Sequence, residues 1–188
     1  MPATTTAAGD APLPVRCATV DDAAALEALV NSAYRGDSSR AGWTTEADLL
    51  GGQRVDVDGL RALIARGAVD GGAVVLVHED GAGLAACVEL EPRGRGCYLG
   101  MLTIRPTAQA GGLGRRLLAA AERFAAERFG TREMQMTVIV QRTELLAWYE
   151  RRGYRRTGER RPFPYDDPRF GLPKRPDLEF VVLSKALL

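Results

Sequence analysis

The chain has 188 residues, of which 46% are hydrophobic and 26% charged, with 25 Lys and Arg set against 24 Asp and Glu. That length suits one domain with a sizeable core, and a net charge of +1 argues against a broad nucleic-acid footprint. The longest apolar runs, "AVVLV" and "FVVL", fall far below the ~20 residues that a membrane span needs.

Residues 1–13, "MPATTTAAGDAPL", are small, polar and Pro-containing, without the basic start and apolar middle of a signal peptide. They read as a loose tail before a single domain over 14–188. "PVRCAT" reads as a first strand. In "DDAAALEALVNSAYR" the apolar positions 26, 29, 30, 33 and 34 predict a helix, with Thr19 and Asp21 as caps. Residues 36–56 are polar and glycine-bearing, with a short helix expected at 45–50, and "VDGLRALIAR" predicts another helix. Strand runs at 73–79 and 84–91 flank "DGAG", a hairpin signal, and 96–106 adds a third strand, ended by Pro106.

A glycine-rich loop and a long helix follow. Leu113, Leu117, Leu118, Ala121, Phe124 and Ala125 mark the helix's buried face, and Gly130 ends it. "EMQMTVIV" (133–140) predicts a buried strand parallel to the one before that helix. A helix over 143–152 closes at Gly153; "YRRTGE", a Pro-rich loop and a final strand, "LEFVVLSKAL", complete the chain. The strand–loop–helix–strand unit makes a right-handed parallel crossover between antiparallel flanks. The expected fold is α/β, a mixed sheet with helices on both faces. Cys17, Cys87 and Cys97 have no CxxC spacing and read as free thiols of a reducing cytoplasm, acting as small buried apolar residues. His78 is the only histidine, so no metal site is expected, and it reads as a strand-end residue.

The loop "RPTAQAGGLGRRLL" (105–118) places Gly111, Gly112 and Gly114 against the start of a helix. Glycine costs about 1 kcal/mol relative to alanine inside a helix, so the cluster points to unusual torsions or a close approach to the backbone. A helix N-terminus with bare amides fits a phosphate. A triphosphate loop requires GxxxxGK[ST], which is absent, and a dinucleotide loop requires a glycine where Leu117 stands. The pattern Q/R-x-x-G-x-G/A, by contrast, is met by Gln109-Ala110-Gly111-Gly112-Leu113-Gly114.

On this motif, and on "LLAWYERRGY" (145–154) one strand later, the chain resembles the GNAT superfamily of N-acetyltransferases over roughly residues 14–186. The resemblance implies a mostly antiparallel sheet with a splayed parallel pair, and acetyl-CoA as cosubstrate without a metal. The main-chain amides of Gly111, Gly112, Leu113, Gly114 and Arg115 would converge on the CoA diphosphate, with Arg115 or Arg116 adding charge. Leu102, Thr103 and Ile104 would offer backbone groups to the pantetheine arm, and the backbone at Gly100–Met101 would face the oxyanion.

Tyr149 matches the family's tyrosine acid beside the thiol. No carboxylate stands on the strand before the loop, where many members carry one, so Glu89 and Glu46 are the candidates for the base. Arg142 stands where the family often has asparagine and is a further cofactor-side candidate. Trp43, in "AGWTTEADLL", and Phe163 and Tyr165, in "RRPFPYDDPRFGLPK", are nominated for the acceptor cleft; Glu46, Asp166 and Asp167 would suit a cationic amine. The expected reaction is direct acetyl transfer to a primary amine of a small molecule. A protein or peptide acceptor, and a non-catalytic acyl-CoA-binding module, are the alternatives. Neither nucleic acid nor membrane is an expected partner, and the family's frequent dimers admit a homodimer.

Overall fold

The computed structural model describes residues 11–187. The first ten residues of the expected tail lie outside the described residues; Leu13, at its end, is buried in the main core. In chain order the strands are β1 (Arg16–Cys17), β2 (Leu50–Gly51), β3 (Val74–Asp80), β4 (Gly83–Arg93), β5 (Gly96–Ile104), β6 (Glu133–Ile139), β7 (Arg155–Pro162), β8 (Leu172–Pro173) and β9 (Glu179–Ala186). The α-helices are α1 (Ala23–Tyr34), α2 (Gly36–Ser39), α3 (Val57–Asp70), α4 (Leu113–Phe129) and α5 (Thr143–Glu150).

Seven strands form one sheet in the order β1-β3-β4-β5-β6-β9-β7, and β2 and β8 form a separate pair. Within the large sheet β5 and β6 run parallel and every other neighbouring pair antiparallel. The period of two decides which layer each strand residue joins. Val75, Val77, Cys87 and Met101 pack under α1 and α3 with Leu26, Val30, Leu60 and Ile64. Leu76, Ala86, Val88 and Leu90 face the opposite way, against Leu117, Leu118 and Ala121 of α4 and Leu146 and Tyr149 of α5.

The helix ends follow their sequence signals. Asp56 accepts the Gly59 N–H at 2.7 Å at the start of α3, and Gly130 ends α4 in the left-handed region at φ 63°. At the first helix, Asp22 rather than Asp21 answers Thr19, accepting its backbone N–H at 2.7 Å. The helix expected at 45–50 is a single turn, in which the Leu49 and Leu50 N–H groups both donate to the Glu46 carbonyl before Leu50 pairs with Pro173. Cys17 lies exposed on β1, an edge strand of only two residues; Cys87 and Cys97 are buried as expected. His78 sits within β3, its Nδ1 at 2.8 Å from the Pro14 carbonyl oxygen. No described helix is long and apolar enough to cross a membrane.

Candidate active site

The site begins with a broken ladder. β5 and β6 pair only at Cys97–Met134 and Tyr98–Gln135, so the strands part beyond that point although both continue. The Tyr98 hydroxyl meets Thr137 Oγ1 at 2.9 Å across the base of the gap. On its other side β5 carries a bulge: Cys87 faces Thr103 and Glu89 faces Gly100, which sets Met101 and Leu102 against Val88 alone. Met101 takes φ 51°, the one positive value at a described non-glycine residue. Its carbonyl accepts from Thr103 Oγ1 at 2.9 Å, and the Tyr34 hydroxyl donates to the Leu102 carbonyl at 2.9 Å. The bulge is therefore held at fixed points from within β5 and from α1.

Two cavities meet beside this gap. The first, with about 710 Å³ of free space open to solvent, is lined by Leu102, Thr103, Ile104, Gln109, Gly112, Gly114 and Arg115, and also by Arg142, Tyr149 and Arg152. Gly112 (φ 71°) turns the chain from a 3-10 segment, Pro106–Gly111, into α4. No side chain caps this helix, and its first backbone bond is from the Arg116 N–H to the Gly112 carbonyl at 3.2 Å. The amides of Leu113, Gly114 and Arg115 thus end the helix without intrahelical partners, at the positive end of its dipole. At Gly114 a Cβ would lie in ordinary contact, 3.4 Å from the Trp148 ring and 3.5 Å from Ile104. Gln109 is tied down, accepting the Trp43 N–H at 2.9 Å and donating to the Ile104 carbonyl at 3.2 Å. At the mouth the Arg152 guanidinium lies 3.6 Å over the Trp148 ring, its buried Nε has no partner, and burial lowers its pKa.

The second cavity, of about 770 Å³, holds Glu46, Arg54, Glu89, Gly100, Met101 and Phe163, with Tyr34, Leu102, Arg142, Leu145 and Tyr149 shared between the two. Tyr149 is 5% exposed, set edge-on to Trp148 and Tyr154. Its hydroxyl has no hydrogen-bond partner among the described residues, and burial raises its pKa, so it stays protonated. Glu89 lies opposite Gly100, where a Cβ would come within 3.0 Å of its Oε2; the bare glycine leaves the carboxylate room to lie across β5. Burial raises the Glu89 carboxyl above its ordinary value, against the nearby Arg54.

Glu46 is arranged differently. It is 7% exposed, bonded through Oε2 to Arg35 and through Oε1 to Arg142 Nη1 at 2.6 Å. Burial alone would raise its pKa, but Arg142 and Arg35 outweigh that and hold it below the usual carboxylate range. Both oxygens are thereby engaged in joining α1, the 44–46 segment and the start of α5.

The structure thus gathers nine of the expected groups, Leu102, Thr103, Ile104, Gln109, Gly112, Gly114, Arg115, Arg142 and Tyr149, around one cavity; Ala110, Gly111 and Leu113 belong to the adjoining turn and helix start. Glu46, Glu89 and Phe163 line the other. Trp43 sits at the first cavity rather than the second. Tyr165 lines neither: its hydroxyl accepts the Leu178 N–H at 2.7 Å and donates to the Arg175 carbonyl at 3.3 Å, bracing its own loop. Sequence reasoning missed Tyr34, Arg35, Arg54 and Arg152. The i, i+4 spacing of Trp148 and Arg152 was a usable signal; the others become neighbours of the site only through tertiary contacts.

A split parallel pair, an uncapped glycine-led helix and a buried protonated tyrosine between two cavities define an acyl-transfer fold. The sequence matches the acetyltransferase (GNAT) domain family over residues 50–163, and the chain belongs to that family. No curated protein matches the sequence significantly. Among solved structures it is similar to a ribosomal-protein-alanine N-acetyltransferase of Brucella melitensis, with 22% identity, TM-score 0.69, and 93% of this chain and 100% of that one covered. It is also similar to the spermidine N-acetyltransferase of Vibrio cholerae in complex with CoA and spermine, with 17% identity, TM-score 0.68, and 93% and 95% covered. A third likeness is to yncA of Salmonella typhimurium with its cofactor acetyl-CoA, with 20% identity, TM-score 0.67, and 93% and 94% covered. At these identities the likeness is one of fold.

Proposed function

We propose that the chain transfers the acetyl group of acetyl-CoA directly to a primary amine of a small molecule, with CoA in the first cavity and the acceptor in the second. The observation that carries this reading is the meeting of the two cavities at Tyr149, beside the gap between β5 and β6. The residues fit the cosubstrate: bare amides at 113–115 and the guanidinium groups of Arg115 and Arg152, which line the same cavity, suit a diphosphate. The open edge of β5 suits an extended arm bearing amides, because the Leu102 and Ile104 carbonyls each accept one protein bond and keep a second lone pair.

In this reading the amine nitrogen bonds to the thioester carbonyl carbon and the carbon–sulfur bond breaks; an ammonium acceptor loses two protons, one replacing the proton that Tyr149 gives to the sulfur and the other leaving before the attack. An alkylammonium has a pKa of about 10.4, so a base must take that proton. Glu89 is the proposed base, its carboxylate lying free across Gly100. Glu46, saturated by two arginines, positions Arg142 instead. Tyr149 donates to the departing sulfur, and backbone N–H at Gly100–Met101 stabilises the oxyanion. Thiol release from acetyl-CoA, followed across a panel of amines with mass analysis of the product, tests the proposal; CoA binding without acetylation of any amine would refute it.

A further inference from the structure

We infer that the acceptor is an amine that also carries a carboxylate on an apolar body, an apolar amino acid being the simplest case, and that Arg54 selects it. This rests on the transferase reading above and names its substrate class.

The charges facing the second cavity are Arg35, Arg54 and Arg142 against Glu46 and Glu89. Glu46 is consumed by Arg35 and Arg142. What remains is one cation, Arg54, and one anion, Glu89, in electrostatic reach of each other yet forming no ion pair among the described residues. Two opposite charges held apart in one cavity are the complement of a zwitterion: Glu89 for the amine, Arg54 for the carboxylate.

Arg54 is also held in place. Asn31 of α1 accepts its backbone N–H at 2.8 Å and that of Val55 at 3.3 Å, and donates to the Val55 carbonyl at 3.0 Å. The guanidinium stands 5.7 Å from the Tyr34 ring centroid, with its fork free for a carboxylate. The arginines of this cavity, Arg35, Arg54 and Arg142, also outnumber its carboxylates, Glu46 and Glu89. A polyamine would meet a single free carboxylate and this surplus of cations. Phe163, set edge-on to Phe170 and tilted against Phe180, supplies with them an apolar wall for the rest of the acceptor.

The test compares phenylalanine, phenylalaninamide, 2-phenylethylamine and spermidine by thiol release, with wild type and Arg54→Gln, while calorimetry follows CoA binding and thermal melting checks the fold. Phenylalanine should exceed its amide and 2-phenylethylamine in kcat/KM by about tenfold or more, and Arg54→Gln should bring those ratios toward one through loss of phenylalanine turnover. The inference falls if the amide, 2-phenylethylamine or spermidine is used as well as phenylalanine, or if Arg54→Gln leaves the ratios unchanged. Acetylation of one of those amines alone overturns the inference and leaves the transferase reading standing. CoA binding with no amine acetylated overturns both.

Discussion

The two cavities on either side of Tyr149 are built in different ways. Most of the first cavity's wall comes from two short stretches, 102–115 and 142–152, and its working groups are main-chain amides at a helix start. The second draws on residues between Tyr34 and Phe180, and its working groups are side chains of opposite charge that folding alone makes neighbours. A binding surface made of backbone is set by local torsions; one made of charges is set by which partners remain unpaired. Substitutions should therefore separate the two.

The largest effect is expected at the carboxylate that ties Arg142, which lines both cavities, to Arg35. Glu46→Gln leaves Arg35 and Arg142 buried with only a neutral partner and should cost about 3–5 kcal/mol in urea unfolding. The sign with pH follows from the lowered Glu46 pKa. Its stabilisation is complete above the unfolded carboxyl's value, about 4.3, and is lost as pH falls through the depressed folded value, so wild type and variant should converge in acid.

Next come the two residues proposed to handle protons. Tyr149→Phe should lower kcat by about 10²-fold or more, because the phenol is the only hydroxyl donor proposed for the sulfur. Glu89→Gln should lower kcat/KM by a similar factor, about 10²-fold, with CoA affinity by calorimetry unchanged. Since the Glu89 pKa is raised above 4.5, the wild-type rate should fall as pH drops through that raised value, and the glutamine variant should lack this acid limb. A variant that kept the limb would remove Glu89 from the role of base.

The smaller effects divide the glycine loop itself. Gly112→Ala places a side chain at φ 71°, costing about 1–2 kcal/mol, and should weaken CoA binding more than it changes the acceptor KM. Gly111→Ala meets no atom within 4 Å and should shift unfolding free energy by no more than about 0.5 kcal/mol.

This contrast also explains what could be read from the sequence. The parallel crossover, the glycine-led helix and its Gly130 end are local patterns, and all three are present. So is the hairpin of β3 and β4; which of its residues join which core was not legible, because both runs are apolar on both faces. The turn at 45–50 departs from the expected helix because Leu50 is drawn into pairing with β8, and Lys174 Nζ closes the clasp by donating to the Ala47 carbonyl at 2.5 Å. Nothing local to "GWTTE" reveals that its carboxylate meets arginines 11 residues before it and 96 residues after it. Nor does "GGQRVD" show that Arg54 ends beside Glu89. The first cavity was legible because glycine torsions and a helix end define it; the second depends on long-range charge pairing.

A crystal structure with CoA tests the central assignment most directly. The account predicts the diphosphate on the amides of Leu113, Gly114 and Arg115, the pantetheine arm along the open edge of β5, and the sulfur beside the Tyr149 hydroxyl. A diphosphate bound elsewhere, or an arm that leaves the gap between β5 and β6 empty, would contradict it.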